Sequence, residues 1–264
     1  MKNENLKKYA LITGGTSGIG LELAKLFAEN NYHLILVARS LNALAQTKSM
    51  LTDQYAVEVL TFAQDLSKAG SAQAVYEFAN EQHIFVDVLV NSAGQGEYGL
   101  FAQADLGRLL EIIQLNVAAL TELTQLFLKD MLAHDKGKIL QLGSIASEMP
   151  GPWQAVYHAT KAFVLSLSEA IREEIADTQV SITVLEPGAT DTDFFNKAGM
   201  TASKIMDSKL SDPAKVAADG FKALMEGKDK VVSGLKNKIF VSASNILPDA
   251  AVAKQMKEMQ KPKE

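Results

Sequence analysis

The sequence predicts a doubly wound α/β sheet: one domain on parallel strands, followed by a short helical tail. Three observations predict it. Short β-rich apolar runs alternate with longer runs of helical period along most of the chain. Most of the short runs are apolar at successive positions rather than alternate ones, which marks strands buried on both faces of a parallel sheet. A glycine-rich turn joins the first strand to the first helix, where such sheets hold phosphate.

The strand candidates are Tyr9–Thr13, His33–Ala38, Val57–Phe62, Val86–Asn91, Lys138–Gly143, Ser181–Glu186 and Lys230–Ser233. Between them lie helices over Ile19–Glu29, Leu41–Thr52, Ala72–Glu81, Asp105–Leu132, Ala155–Ile175 and Pro213–Met225. The long fourth helix carries Leu109, Ile112, Ile113, Asn116, Leu120, Leu123 and Phe127 along one face. Strict alternation of strand and helix implies right-handed crossovers and one sheet covered on both sides. The domain is expected over residues 1–234. Thr190–Ser211 is an irregular polar stretch after a strand end, where α/β proteins carry ligands. Residues 235–264 form the tail, with two short helices separated by Pro248. The apolar faces Ile239/Phe240/Ala243/Ile246 and Val252/Met256/Met259 are expected to pack on the domain or on a sister subunit, with peripheral membrane contact as the minor alternative.

Composition narrows the function. The net charge of -5 leaves no basic surface, so nucleic acid is not an expected partner. The absence of cysteine removes disulfides, thiolate nucleophiles and Cys-bound zinc, and fits a reducing compartment. His33, His83, His134 and His158 lack metal-ligand spacing, so no metal is expected. The apolar run before Thr13 is too short for a signal peptide, and no segment is long enough to span a bilayer. A cytoplasmic location is the expectation.

The first turn reads Thr13-Gly14-Gly15-Thr16-Ser17-Gly18-Ile19-Gly20. Its glycines permit a tight turn and close backbone approach, and the helix N-terminus offers free N–H groups to a pyrophosphate. The spacing is G-x-x-x-G-x-G rather than the commoner G-x-G-x-x-G. This turn resembles the cofactor fingerprint of the short-chain dehydrogenase/reductase family, which has a Rossmann fold. Further motifs follow in that family's order. Asn91-Ser92-Ala93-Gly94 is similar to its N-N-A-G, with Ser in the second place. Asn116 matches its active-site asparagine, Ser144 its serine, and Tyr157-His158-Ala159-Thr160-Lys161 its Y-x-x-x-K. Pro187-Gly188 followed by Thr192 resembles its P-G-x-x-x-T segment. The resemblance runs from Tyr9 to Thr192, with the final helix and strand.

Tyr157 and Lys161 stand four apart on a helix and share a face. A phenol titrates near ~10 unperturbed, and a neighbouring ammonium is expected to lower that value towards one suited to acid–base work. An exposed Tyr/Lys pair is the plain alternative; Ser144 at a strand end weighs against it. The resemblance implies the roles. Hydride passes between nicotinamide and a carbonyl, Tyr157 protonates the oxygen, and Ser144 holds it. Lys161 binds the ribose and tunes Tyr157, and Asn116 places a relay water. It also implies cofactor contacts from Gly14, Thr16, Ser17, Gly18, Ile19, Gly20, Asn91, Ala93, Gly94, Pro187, Gly188 and Thr192. Asp65 and Leu66 would border the adenine, although Asp65 is equally placed to cap the next helix. Met149 and Trp153 are candidates for the substrate wall or for plain packing, and His158 is read as non-catalytic.

Arg39 stands about 20 residues past the glycine turn, where an acidic residue would bind the ribose of NAD. An arginine there attracts a 2′-phosphate, and Ser40 and Ser17 are placed to add hydroxyl contacts. NADP(H) is therefore favoured; a surface arginine with dual cofactor use is the alternative. The rival class is a non-catalytic dinucleotide sensor or scaffold on the same fold, against which the full Ser144/Tyr157/Lys161 set argues. A hydrolase would need G-x-S-x-G, and none occurs. The expected partner is a small carbonyl or alcohol, whose determinants fall in Gln95–Phe101, Ser147–Trp153 and Asp193–Ser211. The resemblance also implies a homodimer or homotetramer.

Overall fold

A computed structural model describes residues 7–263. Seven strands form one parallel sheet: β1 (Tyr9–Thr13), β2 (His33–Ala38), β3 (Val59–Ala63), β4 (Val86–Asn91), β5 (Gly137–Leu142), β6 (Val180–Glu186) and β7 (Lys230–Val232). Their order across the sheet is β3-β2-β1-β4-β5-β6-β7. The order reverses between β1 and β4, and a crevice opens there at the carboxyl edge. The sheet is doubly wound, as the alternation of elements predicts. β3 starts two residues later than expected, because the amide of Val57 bonds back to the Tyr55 carbonyl in a turn.

The buried strands divide their side chains between two cores. Tyr9 and Leu11 face one, Ala10 and Ile12 the other. On the Ala10 side lie α1 (Gly18–Glu29), α2 (Leu41–Gln54) and α8 (Pro213–Met225), which bring Phe27, Leu44 and Leu224 to the sheet. On the Tyr9 side lie α3 (Ser71–Glu81), α5 (Leu120–Ala133) and α6 (Ala155–Glu174). Each fully buried Leu, Ile or Phe contributes ~1.5–3 kcal/mol, and these two layers hold the sheet rigid beneath the crevice.

The long helix expected over Asp105–Leu132 is broken. It runs as α4 (Leu106–Ile113), then a π-turn over Gln114–Ala119, then α5. The wider turn carries Asn116 inward to partners outside the helix, and π-turns of this kind recur at functional positions. Leu106, Leu110 and Ile113 remain exposed along α4. The stretch 190–211 is also less irregular than expected: it contains the short helix α7 (Phe194–Lys197) and a 3₁₀ turn, Lys204–Asp207.

The tail forms α9 (Leu235–Ser244) and α10 (Asp249–Gln260), divided by Pro248. Val241, Val252 and Met256 pack on Met149 in a small separate core with Phe240 at its edge, whereas Ile239, Ile246 and Met259, expected to pack, are exposed. No helix of the described residues is long and apolar enough to cross a membrane. Because this small core holds the tail down, its amides at 241–256 are expected to resist hydrogen exchange beyond seconds. Complete exchange of that segment within seconds would show the tail hanging free.

Candidate active site

β1 delivers Thr13 to the carboxyl edge, and the chain turns through Gly14–Ser17 into α1. Gly14 lies at φ +67°, and a Cβ on it would stand 3.1 Å from the Ala93 Cα. Only glycine allows this approach to the backbone after β4. Thr13 fastens the contact. Its Oγ1 accepts from the amides of Ser92 and Ala93, both at 3.0 Å, and donates to the Val90 carbonyl at 3.3 Å. Ser17 makes no side-chain cap, so the first-turn amides of α1 keep their donor capacity.

A cleft of about 450 Å³ runs along this edge from Arg39 and Ser40 to Met256 and Gln260. Gly14, Thr16, Ser17, Gly18, Ile19 and Gly20 border it, as do Leu66, Ala93, Gly94, Pro187, Gly188 and Thr192. Asp65 does not cap the next helix, whose N-cap is Gly70 without a side-chain bond; it closes a local turn instead. It lines the cleft, and its Oδ1 accepts from Ser67 N at 3.0 Å and Ser67 Oγ at 2.7 Å. Burial works to raise its pKa, but the Ser67 hydrogen bonds and the charges of Arg39 and Lys68 outweigh it and hold the carboxyl low. The exposed Arg39 guanidinium stands at one end, uncapped helix amides in the middle and a buried lysine at the other. That donor set fits a dinucleotide phosphate.

At the far end, α6 carries Tyr157 and Lys161 one turn apart, with Lys161 Nζ 5.8 Å from the Tyr157 ring centroid. Lys161 Nζ donates to the Leu142 carbonyl at 2.6 Å, and burial pushes its pKa down to about 8. Ser144 follows β5 and opens a 3₁₀ turn over Ile145–Glu148. Its Oγ accepts from Ala146 N at 3.1 Å, and it hydrogen-bonds Tyr157. Burial pushes the Tyr157 phenol up to about 12, against a smaller lowering by Ser144. This corrects the expectation that Lys161 lowers it. Desolvation dominates both shifts and disfavours both charged forms.

Two expected contacts lie elsewhere. Asn91 does not reach the cleft: its Nδ2 donates to Thr124 Oγ1 at 3.1 Å and Gln141 Oε1 at 3.0 Å. Strand parity explains this, since Asn91 points the same way as Leu89, into the core beneath α5. Asn116 stands behind the cleft wall rather than in it. Its Nδ2 donates to Gln95 O at 2.9 Å and Thr160 Oγ1 at 3.0 Å, and its Oδ1 accepts from Gln95 N at 3.0 Å. A Cβ on Gly94 would lie 3.5 Å from Asn116 Oδ1 and 3.6 Å from Lys161 Nζ, so this glycine keeps the gap between them open.

Met149 and Trp153 do not wall the cleft either. Met149 sits in the tail core, and Trp153 stacks on Tyr98 with centroids 5.7 Å apart. His158 does line the cleft, but its ring nitrogens are occupied by the Met149 carbonyl and the Gln260 amide. Phe194, within the expected stretch Asp193–Ser211, lines it, while sequence reasoning missed Gln154, Met256 and Gln260, which line it too. The apolar face of α10 was the available signal for Met256. Among the described residues, no group of three or more His, Asp or Glu is placed to hold a metal.

The model of the family described as short chain dehydrogenase matches residues 8–202. This chain belongs to that family. The short-chain dehydrogenase is 30% identical over 231 residues to the ketoacyl reductase HetN of Nostoc sp., covering 88% of this chain and 76% of that protein. It is 34% identical over 190 residues to a probable NADP-dependent dehydrogenase of Haemophilus influenzae, covering 71% and 73%. Its fold matches that of a short-chain dehydrogenase from Sphingobium yanoikuyae in complex with NADPH, with TM-score 0.81, 25% identity and coverage of 97% and 98%. It is an oxidoreductase by family.

One buried charge cluster supports the serine turn of this dehydrogenase. Glu186 is fully buried at the end of β6, beside Ser147, Glu148 and Lys230. Glu148 pairs with Lys230 at 2.5 Å. Burial first, and the Glu148 carboxylate second, push the Glu186 pKa up from 4.5 to about 8. The folded state therefore holds a proton there that the unfolded chain releases. That contribution to stability is complete below pH 4.5 and is lost as pH rises through about 8. Glu186→Gln is expected to flatten the fall in Tm between those limits, measured by thermal unfolding across pH; an identical fall in wild type and variant counts against it.

Proposed function

We propose that this short-chain dehydrogenase is an NADP(H)-dependent reductase of ketones or aldehydes, working inside the cell. The observation that carries the reading is one cleft that has Arg39 at one end and Ser144, Tyr157 and Lys161 at the other. NADPH, when bound, supplies the hydride. The chain's own groups do the rest. Tyr157, whose phenol burial keeps protonated, gives its proton to the carbonyl oxygen. The Ser144 hydroxyl, 3.4 Å from the Pro187 carbonyl, turns to donate to that same oxygen. Lys161 is held at the Leu142 carbonyl, within reach of both a cofactor ribose and the Tyr157 ring. Asn116 acts as a positioning residue, by fixing the Gln95 backbone and Thr160. The exposed apolar side of α4 suits a second copy of the chain, as the expected homo-oligomer requires.

Tyr157→Phe removes only the proton donor. A fall in kcat of ~10²-fold or more is expected, with NADPH affinity held within a few-fold. Steady-state reduction of a ketone panel and fluorescence titration of NADPH measure the two; near-normal kcat in the variant would overturn the role.

The 2′-phosphate preference is assigned to Arg39. A charge-assisted contact contributes ~1.5–3 kcal/mol, which is a roughly ten- to hundredfold preference. Arg39→Asp is expected to reverse the ratio of kcat/KM for NADPH over NADH. An unchanged ratio, or NADH preference in the wild type, would remove Arg39 from this role.

A further inference from the structure

The substrate end of the cleft is largely apolar, lined by Ile145, Phe194, Ile205 and Met256. Two polar atoms interrupt it. Gln154 Nε2 and Gln260 Oε1 belong to side chains lining the cleft, are shut off from solvent, and have no hydrogen-bond partner among the described residues. An unpaired buried polar group costs ~1–3 kcal/mol, so two on the lining of one cleft need a physical reason.

The network decides which end of Gln260 is free. The Gln260 carbonyl accepts from Tyr98 Oη at 2.5 Å and Ser203 Oγ at 2.9 Å, which anchors the residue. Its Nε2 lies 3.0 Å from His158 Nε2. His158 Nδ1 lies 2.8 Å from the Met149 carbonyl, which only accepts, so Nδ1 carries the ring proton. Burial lowers the His158 pKa and keeps the ring neutral. His158 Nε2 then accepts the Gln260 N–H, and Oε1 is left as a free acceptor. Gln154 is the residue before α6, three positions before Tyr157 and four before His158, and its side chain lines the same cleft as that of Gln260. A Cβ on Gly96 would lie 3.4 Å from Gln154 Nε2, so the lack of a side chain there leaves room at the amide.

We propose that Gln154 and Gln260 form a polar subsite for a hydroxyl or amide on an otherwise apolar ketone substrate. The inference rests on the reductase reading. A hydroxyl satisfies both atoms at once, donating to Gln260 Oε1 and accepting from Gln154 Nε2; an amide does so through its N–H and C=O. A carboxylate would be repelled by Oε1, and an ammonium by the Gln154 N–H. Asp193 and Lys197, which also line the cleft, are exposed and paired with each other at 3.0 Å, so they leave no buried counter-charge there. The substrate group reaches the two atoms as the Gln154 amide turns about its soft terminal torsion.

The test is NADPH-dependent reduction of methyl ketones of graded chain length. Each is offered as the plain alkyl ketone and with a terminal hydroxyl, carboxamide or carboxylate. At one length, the hydroxyl or carboxamide member is expected to exceed the plain ketone about tenfold in kcat/KM, through KM, while the carboxylate does not. Gln260→Leu and Gln154→Leu should each bring that ratio close to one. Should Gln260→Leu fail to fold, Gln154→Leu carries the test, since the Gln154 side-chain donor has no partner to lose. Reduction of plain ketones with no preference at any length overturns the subsite and leaves the reductase reading standing. A ratio unchanged in the Leu variants also overturns it. Failure to reduce any ketone removes both.

Discussion

Both backbone groups of Gln95 and the hydroxyl of Thr160 are bonded to one carboxamide, that of Asn116. The loop after β4, the broken long helix and α6 therefore meet at a single side chain that is almost wholly buried. Its removal would leave several buried groups unpaired, each costing ~1–3 kcal/mol. The π-turn serves this constraint, since it spans Gln114–Ala119 and presents Asn116 to these partners. So does the placement of Gly94, which fills the space between Asn116 and Lys161 without a side chain. Lys161 and Tyr157 keep their positions because the helix that bears them is bonded to this point through Thr160.

The electrostatics of the site follow from the same closeness. Burial lowers Lys161, raises Tyr157 and raises Glu186, in each case favouring the neutral form. A neutral phenol is the form that can give a proton away. The other charged groups of the cleft are more open to solvent: Arg39 and the Asp193/Lys197 pair are exposed, and Asp65 is half-buried.

Much of this arrangement can be read from the chain, and what cannot be read has a common cause. The strands show in the sequence because burial on both faces leaves continuous apolar runs, as in Leu34–Val37. The glycine turn and the Tyr157/Lys161 spacing show because their physics is local. The π-turn does not, since it depends on Asn116 meeting a residue 21 positions away. Met256 and Gln260 do not show because their meeting with the cleft is set by how the tail folds back; residue 260 meets His158 across 102 positions. The Tyr157 pKa was misjudged because a helical spacing reveals the neighbouring charge but not the burial opposing it. Asn91 is a different case. The parity of β4 was available in the sequence and places Asn91 with Leu89 on the core face.

The seam between β1 and β4 has a kinetic side. Strands β1, β2 and β3 follow one another in the chain and pair in sequence, so they can assemble from short-range contacts. The bonds from Thr13 to Val90, Ser92 and Ala93 join positions 77 to 80 residues apart. Closing so long a loop is slow and gains nothing until both halves of the sheet exist. The crevice is therefore expected to be among the last parts of the molecule to form. A dinucleotide lying across the seam would slow unfolding more than it speeds refolding, because it binds a surface that the transition state has yet to complete.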